Sequence, residues 1–232
     1  ENTAGGLNDA AFGCAGQRCM AGSTAVLIGK AADRLISPLS EIVSKIQVGP
    51  TDRGSGGTMG AVISPALRDR VGQLLESGVR DGAELLIDGR GVDVPEEPNG
   101  FYMGPSILDR VESGMEIARE EVFGPVLNLM RFDNLEAAIE LANNTPFGNG
   151  ACIYTQSGSA AREFKHRIKA GMVGINVGVP APLAYFPFSG WDYSFFGDLH
   201  LQGRESVLFY TRHKVTTSRW FKHGEGDIWH KD

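Results

Sequence analysis

Short apolar runs alternate along this chain with longer stretches whose apolar positions recur every three or four residues. Residues 23–29 are apolar, partly β-branched and end on Gly29, the pattern of a buried strand. In residues 32–46, Leu35, Leu39, Ile42, Val43 and Ile46 fall at helical spacing, and Pro38 is expected to kink or split that helix. Gly54, Gly56, Gly57 and Gly60 make residues 50–60 a loop. Ser64 followed by Pro65 predicts a helix start: the serine caps, and the proline takes a position where its missing N–H costs nothing. Leu67, Val71, Leu74, Leu75 and Val79 form one stripe on that helix. Gly82 ends it, and residues 83–87 read as the next strand. Residues 89–100, with Pro95, Pro98 and Asn99, form a surface loop. Asn134 then caps a helix running to Leu141. Residues 150–155 read as a strand, 157–170 as a helix ended by Gly171, and 172–177 as a strand.

This order predicts an α/β fold in which a mostly parallel sheet is covered by helices. The segment from Ser206 to Thr217 stands apart. It is long, β-branched and free of glycine, with Val207, Phe209 and Thr211 alternating against Leu208, Tyr210 and Arg212. It predicts a bridging strand that adds to the sheet of another subunit, and hence a homo-oligomer. The expected organisation is a body over residues 1–205, the oligomerisation strand over 206–220 and a tail over 221–232. No internal repeat or low-complexity tract is visible.

Composition narrows the function classes. With 232 residues, 42% hydrophobic and 22% charged, the chain has material for one large α/β domain, and disorder is excluded. The balance of 22 basic against 28 acidic side chains, with no basic run, argues against a nucleic-acid partner. No apolar run approaches the length of a spanning helix, so no membrane partner is expected. Cys14, Cys19 and Cys152 make neither a disulfide framework nor a zinc pair. They suit a reducing compartment: the cytoplasm, or the mitochondrial matrix in a eukaryote. The five histidines show no ligand spacing, so no metal is expected. The chain opens on Glu1 rather than Met and reads as the middle of something longer.

The chemistry gathers at Phe12-Gly13-Cys14-Ala15-Gly16-Gln17-Arg18-Cys19-Met20-Ala21. Cys19 falls between a helix and a strand, a junction where a side chain reaches a cleft. A thiolate there is a strong nucleophile toward a carbonyl, and the cationic Arg18 beside it favours that form. The backbone N–H of Cys19 is placed to face a developing oxyanion. The competing reading makes Cys14 and Cys19 small core residues, since free cysteine is usually buried and inert.

Gly16-Gln17-Arg18-Cys19 resembles the catalytic cysteine motif of the aldehyde dehydrogenase superfamily. Three further segments follow in that family's order. Glu120-Glu121-Val122-Phe123-Gly124-Pro125-Val126 is similar to its Glu-x-Phe-Gly-Pro motif. Asn144-Thr145-Pro146-Phe147-Gly148-Asn149-Gly150 is similar to its Asn-x-x-[Tyr/Phe]-Gly-[Leu/Asn] turn, and Pro187-Phe188-Ser189-Gly190-Trp191 to its Pro-Phe-Gly-Gly segment. Ser189 in place of the common glycine, the Arg18-Cys19-Met20-Ala21 run and Asn176-Val177-Gly178-Val179-Pro180 resemble the methylmalonate-semialdehyde dehydrogenase branch.

The resemblance implies an aldehyde dehydrogenase-like fold and an NAD-dependent, coenzyme A-acylating oxidation of malonate or methylmalonate semialdehyde to acetyl- or propionyl-CoA. It implies Cys19 as the nucleophile that becomes a thioester. It gives Glu121 the two hydroxyls of the nicotinamide ribose and places Phe123 near the nicotinamide. Phe188 lines the substrate tunnel, and Arg18 suits the carboxylate that ordinary aldehydes lack. Surface or core roles compete for each: a solvated carboxylate for Glu121, core rings for the phenylalanines, a surface arginine for Arg18. Glu120 fits the solvated role better than Glu121, and Cys152 reads as core.

The departure from the family is one of extent. Family chains are roughly twice as long, and no Gly-x-Gly-x-x-Gly phosphate loop occurs here, so the amino-terminal NAD-binding domain is expected to be absent. Two alternatives stay open beside the enzyme reading. One is a hydrolytic relative using water as acyl acceptor; the other is a non-catalytic remnant that folds and self-associates.

Overall fold

The computed structural model describes residues 2–52 and 57–220. Helix α1 (Asn2–Phe12) runs through a single 3-10 turn (Gly13–Gly16) and a loop into β1 (Thr24–Ile28), then α2 (Ala31–Val43). After a long connection come α3 (Pro65–Arg80), β2 (Glu84–Ile87), β3 (Ser106–Asp109), the short α4 (Glu116–Arg119) and β4 (Val126–Phe132). The last third holds α5 (Leu135–Asn143), β5 (Phe147–Gly148), β6 (Gly150–Ile153), α6 (Gly158–Arg167), β7 (Met172–Ile175), β8 (Trp191–Asp192) and α7 (Gly203–Tyr210).

The main sheet has the order β1-β4-β3-β2. β4 lies parallel to both β1 and β3, and β2 adds antiparallel at the edge. β6 and β7 form a separate parallel pair, and β5 and β8 a short antiparallel one. The predicted α/β class and its mostly parallel pairing are therefore present.

Alternation along β4 builds two cores. Leu127 and Leu129 face one side, against Leu27, Ile107, Leu39, Val43 and Phe12 from β1, β3, α2 and α1. Val126 and Met130 face the other, against Leu108, Val71, Leu75 and Ile117 from β3, α3 and α4. Strand side chains alternate faces, so β4 is buried on both. Truncating Leu129 to Ala there costs about 2–5 kcal/mol. A third cluster, Ile139, Phe164, Ile168 and Ala170, packs α5 and α6 beside β6 and β7.

The local start signals behave as read. Ser64 Oγ accepts from the Leu67 N–H at 3.2 Å, Asn134 Oδ1 from Ala137 at 2.9 Å, and Ser157 Oγ from Ala160 at 3.3 Å. Three expectations change. Pro38 does not split α2, which runs through it; Leu39 and Val43 beyond it are fully buried and hold the second half in place. Cys14 is exposed, not a core residue, because it sits on a left-handed turn that aims it outward.

The third correction is the largest. No strand occupies 206–217: residues 203–210 are helix α7, and 211–220 lie in no helix or strand. An extended segment with no partner strand leaves its N–H and C=O groups unpaired, whereas a helix satisfies them within itself. Val207, Phe209 and Tyr210 are exposed on it. The expected tail, 221–232, lies outside the described residues, as do Gly54 and Gly56 of the expected loop. Among the described residues no helix is long and apolar enough to cross a membrane.

Candidate active site

The cysteine segment is shaped by a reversal at the end of α1. Cys14 (φ 54°), Ala15 (φ 54°) and Gly16 (φ 68°) are consecutively left-handed. Such backbone costs an L-residue about 1 kcal/mol or more, so packing must hold it. Ala15 and Gly16 are buried, and the Gln17 N–H closes the turn on the Cys14 carbonyl at 3.0 Å. A second turn follows, with the Ala21 N–H on the Arg18 carbonyl at 3.0 Å, and Cys19 stands exposed inside it. The chain then rejoins α1 through Gly22 N–H to the Ala10 carbonyl at 3.0 Å and enters β1.

The Glu-Val-Phe-Gly segment lies directly against this turn. Gln17 Nε2 donates to the Phe123 carbonyl at 3.4 Å, and Gln17 Oε1 accepts from the Ile63 N–H at 3.1 Å. The two backbones nearly touch, since a methyl group added at Gly16 would lie 2.1 Å from the Gly124 carbonyl oxygen. Phe123 is itself left-handed (φ 52°) and 39% exposed, its ring outside the core. So the structure unites the cysteine motif with the second motif through Gln17 and two glycines.

The two glutamates of that segment are told apart by Arg70 on α3. Arg70 Nη1 donates to the Glu121 and Val122 carbonyls at 3.0 and 3.2 Å, and Nη2 lies 3.6 Å from Glu120 Oε2. Glu120 is thus ion-paired. The Glu121 carboxylate is exposed and makes no hydrogen bond or ion pair among the described residues. A carboxylate held on a fixed backbone with both oxygens free suits a diol.

Arg18 has more structural attachment than a surface arginine. Its Nη2 donates to the Asp9 carbonyl at 2.5 Å and the Ala10 carbonyl at 3.4 Å, capping the open end of α1. The guanidinium lies over Gly13, where an added methyl would come within 2.7 Å of Nη2. Its Nε is buried without a partner, an unspent donor beside the Cys19 turn.

Phe188 is half-buried, and its N–H donates to the Leu201 carbonyl at 2.7 Å. No hydrogen bond joins it to the cysteine turn. Its segment packs instead on the third motif: Trp191 pairs with Gly148 where β8 meets β5, and Gly148 N–H donates to Ser194 Oγ at 3.0 Å. From that motif Asn149 reaches the cysteine turn, Nδ2 donating to the Cys19 carbonyl at 2.6 Å. Cys152, in β6, is only partly exposed, and burial pushes its thiol pKa up. No group of three metal-ligating side chains occurs among the described residues.

Asn149 and Gln17 stood within sequence motifs without an assigned role. Arg70 carries no sequence signal: it is one charged residue on an exposed helix face.

Comparison with known proteins shows the family. The model of the aldehyde dehydrogenase family matches residues 1–216. Malonate-semialdehyde dehydrogenase 2 of Geobacillus kaustophilus is 48% identical over 212 residues, 91% of this chain and 43% of that protein. Among solved structures, methylmalonate-semialdehyde dehydrogenase from Oceanimonas doudoroffii superposes with a TM-score of 0.92 at 43% identity, over 96% of this chain and 46% of the other. The NAD complex of a Sinorhizobium meliloti protein assigned as a methylmalonate-semialdehyde dehydrogenase gives 0.93 at 42% identity, over 97% and 46%. The chain thus spans less than half the length of these relatives. By sequence and by fold, it belongs to the aldehyde dehydrogenase family.

Proposed function

We propose that this chain carries the nucleophile and the nicotinamide-end contacts of an NAD-dependent dehydrogenase for malonate or methylmalonate semialdehyde. One observation carries the reading: the exposed Cys19 turn is fastened to the Glu121–Phe123 segment, through Gln17 and the Gly16–Gly124 contact. The names of the relatives support the substrate class.

In this reading the Cys19 thiolate attacks the aldehyde carbon, forming the S–C bond, and the negative charge moves to the former carbonyl oxygen. The Cys19 N–H donates to nothing among the described residues and is available to that oxygen. Arg18, beside Cys19 in the chain, is the cation assigned to the substrate carboxylate, its Nη2 being engaged on α1. Phe188 walls the substrate channel. Glu121 and Phe123 fit the nicotinamide riboside end of NAD: one offers free carboxylate oxygens, the other an outward ring. NAD supplies the hydride acceptor that turns the hemithioacetal into a Cys19 thioester. The acyl group would then pass to the thiol of coenzyme A, freeing the Cys19 thiol, and the substrate carboxylate would leave as carbon dioxide with a proton from solvent taking its place on the α-carbon; this acceptor rests on the resemblance to the methylmalonate-semialdehyde branch.

Mapping a limiting thiol reagent by mass spectrometry tests the core of this reading. Cys19 is expected to react well ahead of Cys152, whose thiol burial holds protonated. Preferential labelling of Cys152 would remove the basis for the catalytic assignment.

We also propose that the chain self-associates through the stretch containing Val207, Phe209 and Tyr210, which α7 leaves exposed. Replacing Phe209 and Tyr210 with Lys should break up an oligomer seen by light scattering. A wild-type monomer at micromolar concentration would defeat this. The three free thiols support a reducing compartment, the cytoplasm or a eukaryotic mitochondrial matrix.

A further inference from the structure

The turn that carries Cys19 is held from outside by one side chain. Asn149 Nδ2 donates to the Cys19 carbonyl at 2.6 Å and lies 3.2 Å from Met20 Sδ. Asn149 stands at the junction of β5 and β6, and its own backbone is tied down. Its carbonyl accepts from the Met172 N–H at 3.1 Å, and the preceding Gly148 carbonyl accepts from Gly171 at 2.9 Å. Met20 is buried, and its methyl packs so closely on Gly150 that a Cβ there would come within 2.7 Å of it. The oxygen and the following side chain of one peptide unit are both gripped by the same junction.

A peptide plane leaves only one soft torsion on each side. The Arg18–Cys19 peptide, which carries the Cys19 N–H, is held by the Ala21 N–H on the Arg18 carbonyl at 3.0 Å. Gripping the Cys19–Met20 peptide as well leaves no free backbone torsion at Cys19, so the Cα–Cβ bond that carries the thiol keeps a set direction relative to that free N–H. Attack on a carbonyl needs both at once: sulfur at the carbon and a donor at the oxygen. Attack on a saturated carbon needs only the sulfur.

We infer that Asn149 is a positioning residue for the nucleophile. It touches neither the sulfur nor the substrate and acts through the Cys19–Met20 peptide, keeping thiol and N–H in the relation that carbonyl addition requires. The inference rests on the reading of Cys19 as the nucleophile.

The test compares two reagents on the 232-residue chain. In acetylation by p-nitrophenyl acetate the thiolate adds to the ester carbonyl, an S–C bond forms, the C–O bond breaks and p-nitrophenolate leaves. Alkylation by iodoacetamide displaces iodide from a saturated carbon and develops no oxyanion. Rates at Cys19 are read by peptide mass spectrometry, with the exposed Cys14 as reference in the same molecule. Asn149→Asp, which keeps the shape and removes the donor, should lower the acetylation-to-alkylation ratio at Cys19 about fivefold, the weight of one net hydrogen bond. Asn149→Ala should do the same, and Asn149→Gln, which keeps an amide donor, should recover part of the loss. If the alanine variant does not fold, the isosteric aspartate decides. An unchanged ratio in Asn149→Asp, with Cys19 still the preferred thiol, overturns the positioning role alone. Wild-type chain in which Cys152 reacts ahead of Cys19 overturns the nucleophile reading and this inference with it.

Discussion

Gly16 and Gly124 meet backbone to backbone: a methyl group at Gly16 would stand 2.1 Å from the Gly124 oxygen, and Gly16 sits at φ 68°. Neither residue touches substrate in the proposed reaction, yet their contact sets the spacing between the thiol turn and the Glu121–Phe123 segment. Only a residue without a Cβ allows both the close approach and the left-handed backbone.

Gly16→Ala should therefore be among the most damaging small substitutions in the chain. Steric overlap with backbone cannot be relieved by a side-chain rotation, and the alanine must also hold a left-handed φ. A loss of about 2–4 kcal/mol is expected in urea unfolding. Alanine at Gly72, where nothing lies within 4 Å of an added methyl, is the control and should be close to neutral or stabilising. Equal effects at the two positions would dissolve the claim that the two motifs are locked by this contact.

What the sequence disclosed and what it hid follow from the range of the deciding interaction. The caps at Ser64, Asn134 and Ser157 were legible because each is settled within three residues. β4 carries no strand signal: Val126–Met130 is buried on both faces, so it shows no alternation, and it runs straight on from the Phe123-Gly124-Pro125 motif. The alternation in 206–217 misled for the opposite reason. A strand needs a partner that no local pattern can supply, and without one residues 203–210 coil into a helix. In the site, the motif residues were visible but their linkage was not. Arg70 reaches Glu121 across 51 positions and Asn149 reaches Cys19 across 130. Such contacts exist only once the sheet has formed.

Asp109, at the end of β3, gives the fold a pH dependence. Its side chain is buried; Arg131 Nε donates to it at 3.1 Å, the Arg110 N–H at 2.7 Å, and Arg131 Nη2 completes the pair. Burial works against the charged carboxylate, but the Arg131 guanidinium and the Arg110 N–H outweigh it and hold the pKa below the ordinary aspartate value. A folded pKa below the unfolded one, about 3.9, stabilises fully above that value and is lost as pH falls through the lower folded one. Asp109→Asn should cost about 2 kcal/mol at pH 7, since it removes a buried charged acceptor from the Arg131 guanidinium and the Arg110 N–H, while the exposed Arg131 is left to solvent. As pH falls below about 4 the wild type should lose stability more steeply than the variant. Parallel urea-unfolding profiles for the two would rule out this pair as the source.

Arg18 is asked to do two things, and they separate by measurement. As a cap on α1 its loss should lower stability by about 1 kcal/mol whatever the substrate. As a carboxylate binder its loss should lower kcat/KM for malonate semialdehyde by about 2–3 kcal/mol, in a chain extended to the relatives' full length, and leave propanal nearly unaffected. Arg18→Leu with equal losses on both aldehydes would leave only the capping role. Arg18→Lys should keep part of the charge attraction and lose the planar fork.

The 232-residue chain by itself is expected neither to bind NAD measurably nor to oxidise an aldehyde. In the proposed reading Glu121 would offer the cofactor two acceptor oxygens and Phe123 one ring face, both at the nicotinamide end. Their contacts bring a net ~1 kcal/mol each. Association costs several kcal/mol in rigid-body freedom, so two or three such contacts leave no favourable balance. Reactivity at Cys19 is different in kind, because a thiol needs only its own turn to be formed. Isothermal titration with NAD, run beside thiol labelling on one preparation, separates the two. The expected result is a labelled Cys19 and a flat titration. A micromolar Kd would mean that the adenosine and phosphate contacts lie within these 232 residues and that Glu121 and Phe123 are not where the cofactor is chiefly held.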